Sequence, residues 1–137
     1  LAAVDATGGS ASYSGELALG EAADVCAAGA AAAGNLLADR GVPAEMLAAF
    51  ENTVGASLGD RLIAAVRAGL VAGGEISPVR SAGMIIAGSV PWPVTDLRVD
   101  WHDDPVGQLA VLWDAWQPQA ESYVQRALRP AEICLGS

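Results

Sequence analysis

The 137 residues have the length of one ordinary domain. Hydrophobic residues make up 53% and charged ones only 17%, which excludes a disordered tail. Acidic side chains outnumber basic ones by 16 to 7, and the net charge of −9 repels phosphate backbones and anionic lipid, so neither nucleic acid nor a membrane surface is an expected partner.

Leu1 to Asp5 and Ala11 to Ser14 read as short strands joined through Gly8-Gly9, which supplies the positive-φ positions of a tight hairpin. Glu16 to Ala33 is ambiguous: its alanines favour helix, whereas Gly20 and Gly29 interrupt any long one. Pro43 suits the first turn of a helix, and Leu47, Phe50, Val54 and Leu58 follow at helical spacing. Gly55 and Ser57 break that run. Ser57 to Asp60 has the pattern of a capping box, and Leu62, Ala65, Val66 and Leu70 then form one apolar stripe closed by Gly73-Gly74. The pair is predicted to be an α-hairpin or a kinked helix pair.

Ser81 to Ala87 is an apolar run bounded by turn signals, hence a buried strand. Val90 to Pro93 is extended, because a proline excludes helical angles from its predecessor. Val94 to Trp101 alternates, with Thr95, Leu97, Val99 and Trp101 on one side and Asp96, Arg98 and Asp100 on the other. Asp103-Asp104-Pro105 is a helix start, and Val106, Leu109, Leu112, Trp113 and Trp116 form the buried face behind it. Pro118 interrupts, and Ala120 to Leu128 reads as a further helix. With no linker long enough to divide the chain, residues 1–137 are expected to be a single domain.

Cys26 and Cys134 are too few for a disulfide scaffold, and His102 is the only histidine. No metal site and no cofactor are expected. No basic segment precedes an apolar stretch at the start, and the Ala27–Ala33 run is too short to span a bilayer, so the expected location is the cytoplasm. Leu1-Ala2-Ala3-Val4 reads as the middle of a strand. The sequence is therefore expected to be a fragment, or the second chain of a cleaved protein.

Several residues suit chemistry, each with a plainer alternative. Same-face neighbours on a strand let Arg98 bridge Asp96 and Asp100, as an ion-pair ladder, a substrate-facing arginine or a subunit contact. His102, beside Asp103 and Asp104, has the chemistry of an acid or base, although a lone histidine beside helix caps is more often an exposed loop residue. Gly34-Asn35 can aim amide donors at a cleft, as oxyanion holes do, or close a simple glycine turn. The serines at 10, 12 and 14 stand outside any GxSxG pattern.

Val4-Asp5-Ala6 before a glycine hairpin, Ala33 to Ala38, Met46 to Glu51, Leu58 to Gly74 and Ser81-Ala82-Gly83 occur in an order that resembles domain-of-unknown-function family 1028. Val94 to Pro105 (VTDLRVDWHDDP) is the most specific piece, and Tyr123 to Pro130 resembles the tail of some members. The resemblance implies a place among the N-terminal-nucleophile (Ntn) hydrolases: an α+β fold, a four-layer αββα sandwich of antiparallel sheets, incomplete in this chain. Enzymes of that type cleave amide bonds with a Thr, Ser or Cys that opens the first strand and uses its own α-amine as base.

Family members carry roughly a further domain-half before the position of Leu1, so the nucleophile is expected on a missing N-terminal segment. The family's cysteine after the first hairpin corresponds to Cys26, without its flanking tryptophan. On this reading the protein hydrolyses C–N bonds of a small molecule. Asn35 then serves as an oxyanion or substrate contact, and Asp96, Arg98 and Asp100 orient the cleft or hold a subunit contact. The competing expectation is a non-catalytic oligomeric scaffold that keeps only the fold. The expected partner is a second copy in a homodimer, or the protein's own N-terminal segment as a separate chain.

Overall fold

The computed structural model describes residues 1–130 and divides the chain into two units, Leu1–Val79 and Arg80–Ser137. In the first, β1 (Ala2–Val4) and β2 (Ser10–Ser12) pair antiparallel, with Ala2 opposite Ser12 and Val4 opposite Ser10. The loop between them is organised by Asp5. Its Oδ1 accepts from the Thr7 amide at 2.7 Å, the Thr7 hydroxyl at 2.7 Å and the Gly9 amide at 2.8 Å. Gly8 takes φ +84°, a conformation that glycine adopts without steric cost.

The ambiguous stretch resolves into a hairpin, not a helix: β3 (Ala23–Ala27) and β4 (Ala30–Gly34), with Ala27 opposite Ala30 and Ala23 opposite Gly34. Gly29 turns the corner at φ +73°. Tertiary packing overrides the alanine preference here. A helix of alanines buries little apolar area, whereas alanine strands let α1 (Val42–Asn52) settle against both β3 and β4.

α1 starts with Pro43 in its first turn and buries Val42, Pro43 and Leu47. Val54, expected on that stripe, lies past the helix end and is exposed. α2 (Leu58–Val71) is capped as its sequence predicts: Ser57 Oγ accepts from the Asp60 amide at 3.2 Å and donates to Asp60 Oδ2 at 2.6 Å. After α2, the Gly74 amide returns to the Gly69 carbonyl at 2.9 Å, and Gly73 and Gly74 both hold positive φ. The two helices approach closely at Gly69, where a Cβ would sit 2.7 Å from Met46 Cγ.

In the second unit β5 (Ala82–Ala87) and β6 (Pro93–Val99) pair antiparallel, with Gly83 opposite Arg98 and Ile85 opposite Asp96. Met84 and Thr95 point to the buried face, which α3 (Pro105–Trp116) covers with Val106, Leu109 and Trp113. The Trp116 indole N–H donates to Thr95 Oγ1 at 3.0 Å, and the Trp116 ring meets Tyr123 of α4 (Ala120–Leu128) at 5.0 Å. A single 3₁₀ turn at Gln117–Gln119 carries Pro118 between α3 and α4. Trp101, expected on the inward side of the strand, lies beyond its end at Val99 and is exposed. Among the described residues the architecture is mixed α+β with small two-stranded antiparallel sheets. No helix among them is long and apolar enough to cross a membrane. Cys26 is a free thiol, and Cys134 lies outside the described residues.

Candidate functional site

Asn35 follows β4 directly, in a segment bent by its neighbour: Leu36 holds φ +53°, the only positive φ outside glycine among the described residues. A leucine in that region costs on the order of 1 kcal/mol, and such costs gather at functional positions. Two backbone bonds hold the bend, from the Leu36 amide to the Leu19 carbonyl at 3.1 Å and from the Leu37 amide to the Glu21 carbonyl at 3.0 Å. The Asn35 side chain is exposed, and its Nδ2 reaches the Leu19 carbonyl only at 3.4 Å. That is a long bond, leaving donor capacity for a ligand. Asn35 lines a hollow of about 330 Å³ with Tyr13, Ser14 and Ala18. It also lines a second, of about 300 Å³, with Met46 and Leu70.

In the second unit Arg98 and Asp96 meet in a bidentate pair, Nε to Oδ1 and Nη2 to Oδ2, both at 2.9 Å. The pairing holds the Asp96 carboxyl below its ordinary range and raises the Arg98 guanidinium, with Asp100 adding a weaker charge effect. Both partners are exposed, on the outer face of the hairpin above an open hollow of about 570 Å³. Asp100 lies past the end of β6 and takes no part in the bidentate pair. The structure thus joins two of the three residues in the predicted ladder.

His102 serves its own turn. Its Nδ1 accepts from the Asp104 amide at 2.9 Å, and its amide donates to the Arg80 carbonyl at 2.8 Å. Asp103 pairs with the Arg80 guanidinium, which lies over the Trp101 ring at 5.7 Å. Asp104 caps α3 by accepting from the Gly107 amide at 2.9 Å. The two carboxylates beside His102 are therefore occupied by an arginine and a helix end.

One polar seam goes beyond the expected sites. Cys26 Sγ donates to Ser12 Oγ at 3.0 Å, and the hydroxyls of Ser12 and Ser14 hold the Asp24 carboxyl below its ordinary range. Ser10 Oγ donates to the Ala27 carbonyl at 2.7 Å. The signal was the period-two spacing of Ser10, Ser12 and Ser14 against Asp24 and Cys26, which the helix-or-strand ambiguity of residues 16–33 concealed. Among the described residues no group of three or more His, Cys, Asp or Glu side chains converges as metal ligands do.

No curated protein matches the chain. The crystal structure of protein SPO2555 from Silicibacter pomeroyi, itself assigned to the DUF1028 model, superposes with a TM-score of 0.75 at 32% sequence identity over 85% of this chain. The chain spans about half of that protein's length, 49%. The model of the family of unknown function DUF1028 matches residues 1–109. The chain belongs to the family of unknown function DUF1028.

Proposed function

We propose that these residues form part of an Ntn-hydrolase-like four-layer αββα sandwich that hydrolyses C–N (amide) bonds of a small molecule in the bacterial cytoplasm. The Thr, Ser or Cys nucleophile and its α-amine belong to a part of the fold outside residues 1–137. One observation carries the site: the Asn35 amide, loosely held beside a leucine forced to φ +53°, sits on the rim of a hollow. The layering of α1 on the β3–β4 hairpin suits the helix-on-sheet half of such a sandwich.

In the reaction the nucleophile adds to the amide carbon and the carbonyl electron pair moves to oxygen. Asn35 Nδ2–H donates to that oxyanion. Collapse expels the amine with the proton that the nucleophile gave up, and water then hydrolyses the acyl-enzyme. Asn35→Ala in the product of the complete reading frame should lower kcat/KM on acyl p-nitroanilides on the order of 10²-fold, with thermal unfolding unchanged. Unaltered kinetics would remove Asn35 from the site.

The second reading, a non-catalytic homo-oligomeric scaffold of the same fold, draws on Asp96 and Arg98. The bidentate pair leaves the Arg98 Nη1 donors unused on an exposed strand face, where a facing subunit could take them. A protein with no amidase activity whose dimer dissociates on Arg98→Ala would favour it.

A further inference from the structure

The register of the β3–β4 hairpin brings the polar seam and Asn35 to one side. Ala33 lies opposite Asp24, and opposite residues share a face. Period-two alternation extends that face to Cys26 along β3 and to Asn35 just past the end of β4. Ser12 of β2, and Ser14 in the chain leaving it, meet the same face through Cys26 and Asp24.

The hydrogens in this seam have fixed directions. Cys26 Sγ donates to Ser12 Oγ at 3.0 Å, which leaves the Ser12 hydrogen for the Asp24 carboxylate. An ionised carboxylate can only accept, so the Ser14 hydroxyl beside it donates as well. With its one hydrogen committed, Ser14 Oγ is left as an acceptor. Ser14 lines the hollow of about 330 Å³ that Asn35 also lines. Asn35 brings the opposite function, because Nδ2 keeps donor capacity beyond its 3.4 Å bond to the Leu19 carbonyl. No charged side chain among the described residues lines this hollow. It therefore offers a neutral ligand one acceptor and one donor, from two different chain segments.

We propose that Ser14, held by Asp24, selects amides that retain an N–H: Ser14 Oγ accepts the ligand N–H while Asn35 Nδ2 donates to its carbonyl oxygen. The ligand class is a neutral primary or secondary amide. Esters and N,N-disubstituted amides bring no hydrogen to Ser14, and a polar group left without its partner is what discriminates against them. Asp24 does not touch the ligand and is a positioning residue. Without it, the Ser14 hydroxyl is free to turn its hydrogen towards the hollow. The proposal rests on the amide reading above and narrows it.

The test uses two probes of the same shape, N-benzylbutanamide and 1-phenylhexan-3-one, in which a methylene replaces the N–H. Binding to the product of the complete reading frame is followed through the Asn35 side-chain amide signals in ¹⁵N NMR spectra. Ser14→Ala should weaken the amide about tenfold and leave the ketone within about twofold of wild type. Ser14→Thr, which keeps the hydroxyl, should bind the amide as wild type does, and Asp24→Ala should weaken the amide more than the ketone. Equal effects of Ser14→Ala on both probes would overturn the proposal, as would no effect on either, or an amide that wild type does not bind. Release of benzylamine is read separately. An amide bound with the expected discrimination but never cleaved refutes only the hydrolysis.

Discussion

Thr95 tests how the second unit is held together. It is 2% exposed, faces α3 from the middle of β6, and its hydroxyl accepts the Trp116 indole N–H at 3.0 Å. Thr95→Val keeps the shape and removes the acceptor, so no cavity adds to the cost. Trp116 is half-buried, and water can partly satisfy the orphaned N–H. The loss should therefore fall at the lower end of the range for an unsatisfied donor, about 1–2 kcal/mol. For a cooperative unit of about 60 residues that is a fall in Tm of about 8–16 °C. Near-UV circular dichroism, which reports the tryptophans, follows the transition. Thr95→Ser retains the oxygen and should lose less than the valine variant. Trp116→Phe combined with Thr95→Val should cost less than the sum of the two single changes, because each removes the same bond. Equal losses for serine and valine, or strict additivity of the pair, would show that the hydroxyl–indole bond contributes nothing.

Ser57→Ala should cost about 1 kcal/mol and fray the first turn of α2, visible as faster amide exchange at Asp60. Gly29→Ala should cost about 1–2 kcal/mol from backbone conformation alone, since nothing lies within 4 Å of the added methyl; an unchanged melting curve would contradict the φ of +73°. Asp5, whose carboxyl is held below its ordinary range first by the Thr7 hydroxyl and then by the Gly9 amide, stabilises the first hairpin above the ordinary aspartate range. That stabilisation is lost as pH falls through the lowered folded-state value, so the gap in stability between wild type and Asp5→Asn should close in acid. Arg98→Ala should move the melting temperature little, and less still in high salt, because both members of the pair are exposed; a large fall would mean the pair is buried in an assembly.

The elements with strong local chemistry were legible in the sequence. Ser57 and Asp60 form the expected box, Asp104 caps α3 ahead of Pro105, and the β6 alternation puts Thr95 in and Asp96 and Arg98 out. Residues 23–34 were not legible, because alanine prefers helix by only a few tenths of a kcal/mol over most residues, and packing beneath α1 outweighs that. Trp101 was misplaced for a different reason: the period-two pattern runs on past Val99, while the backbone leaves the sheet to let His102 bond with Arg80. For the candidate site, sequence marked Asn35 and the Asp96–Arg98 pair. It could not show Leu36 at positive φ, a property of the bend and not of leucine, nor that Asp103 is taken up by the Arg80 guanidinium.

The alanine strand has a further consequence for folding. In most sheets a slip of one residue turns large side chains out of the core, and that penalty fixes how the strands align. Ala30 to Ala33 look the same after such a slip, so side-chain identity within the strand cannot police its alignment. The task passes to the ends, to the glycine corner at Gly29 and to Gly34, where a Cβ would meet Leu37 Cδ2 at 2.7 Å. Changes at either end should therefore trap shifted, aggregation-prone hairpins in newly made chains, even where the finished protein tolerates them.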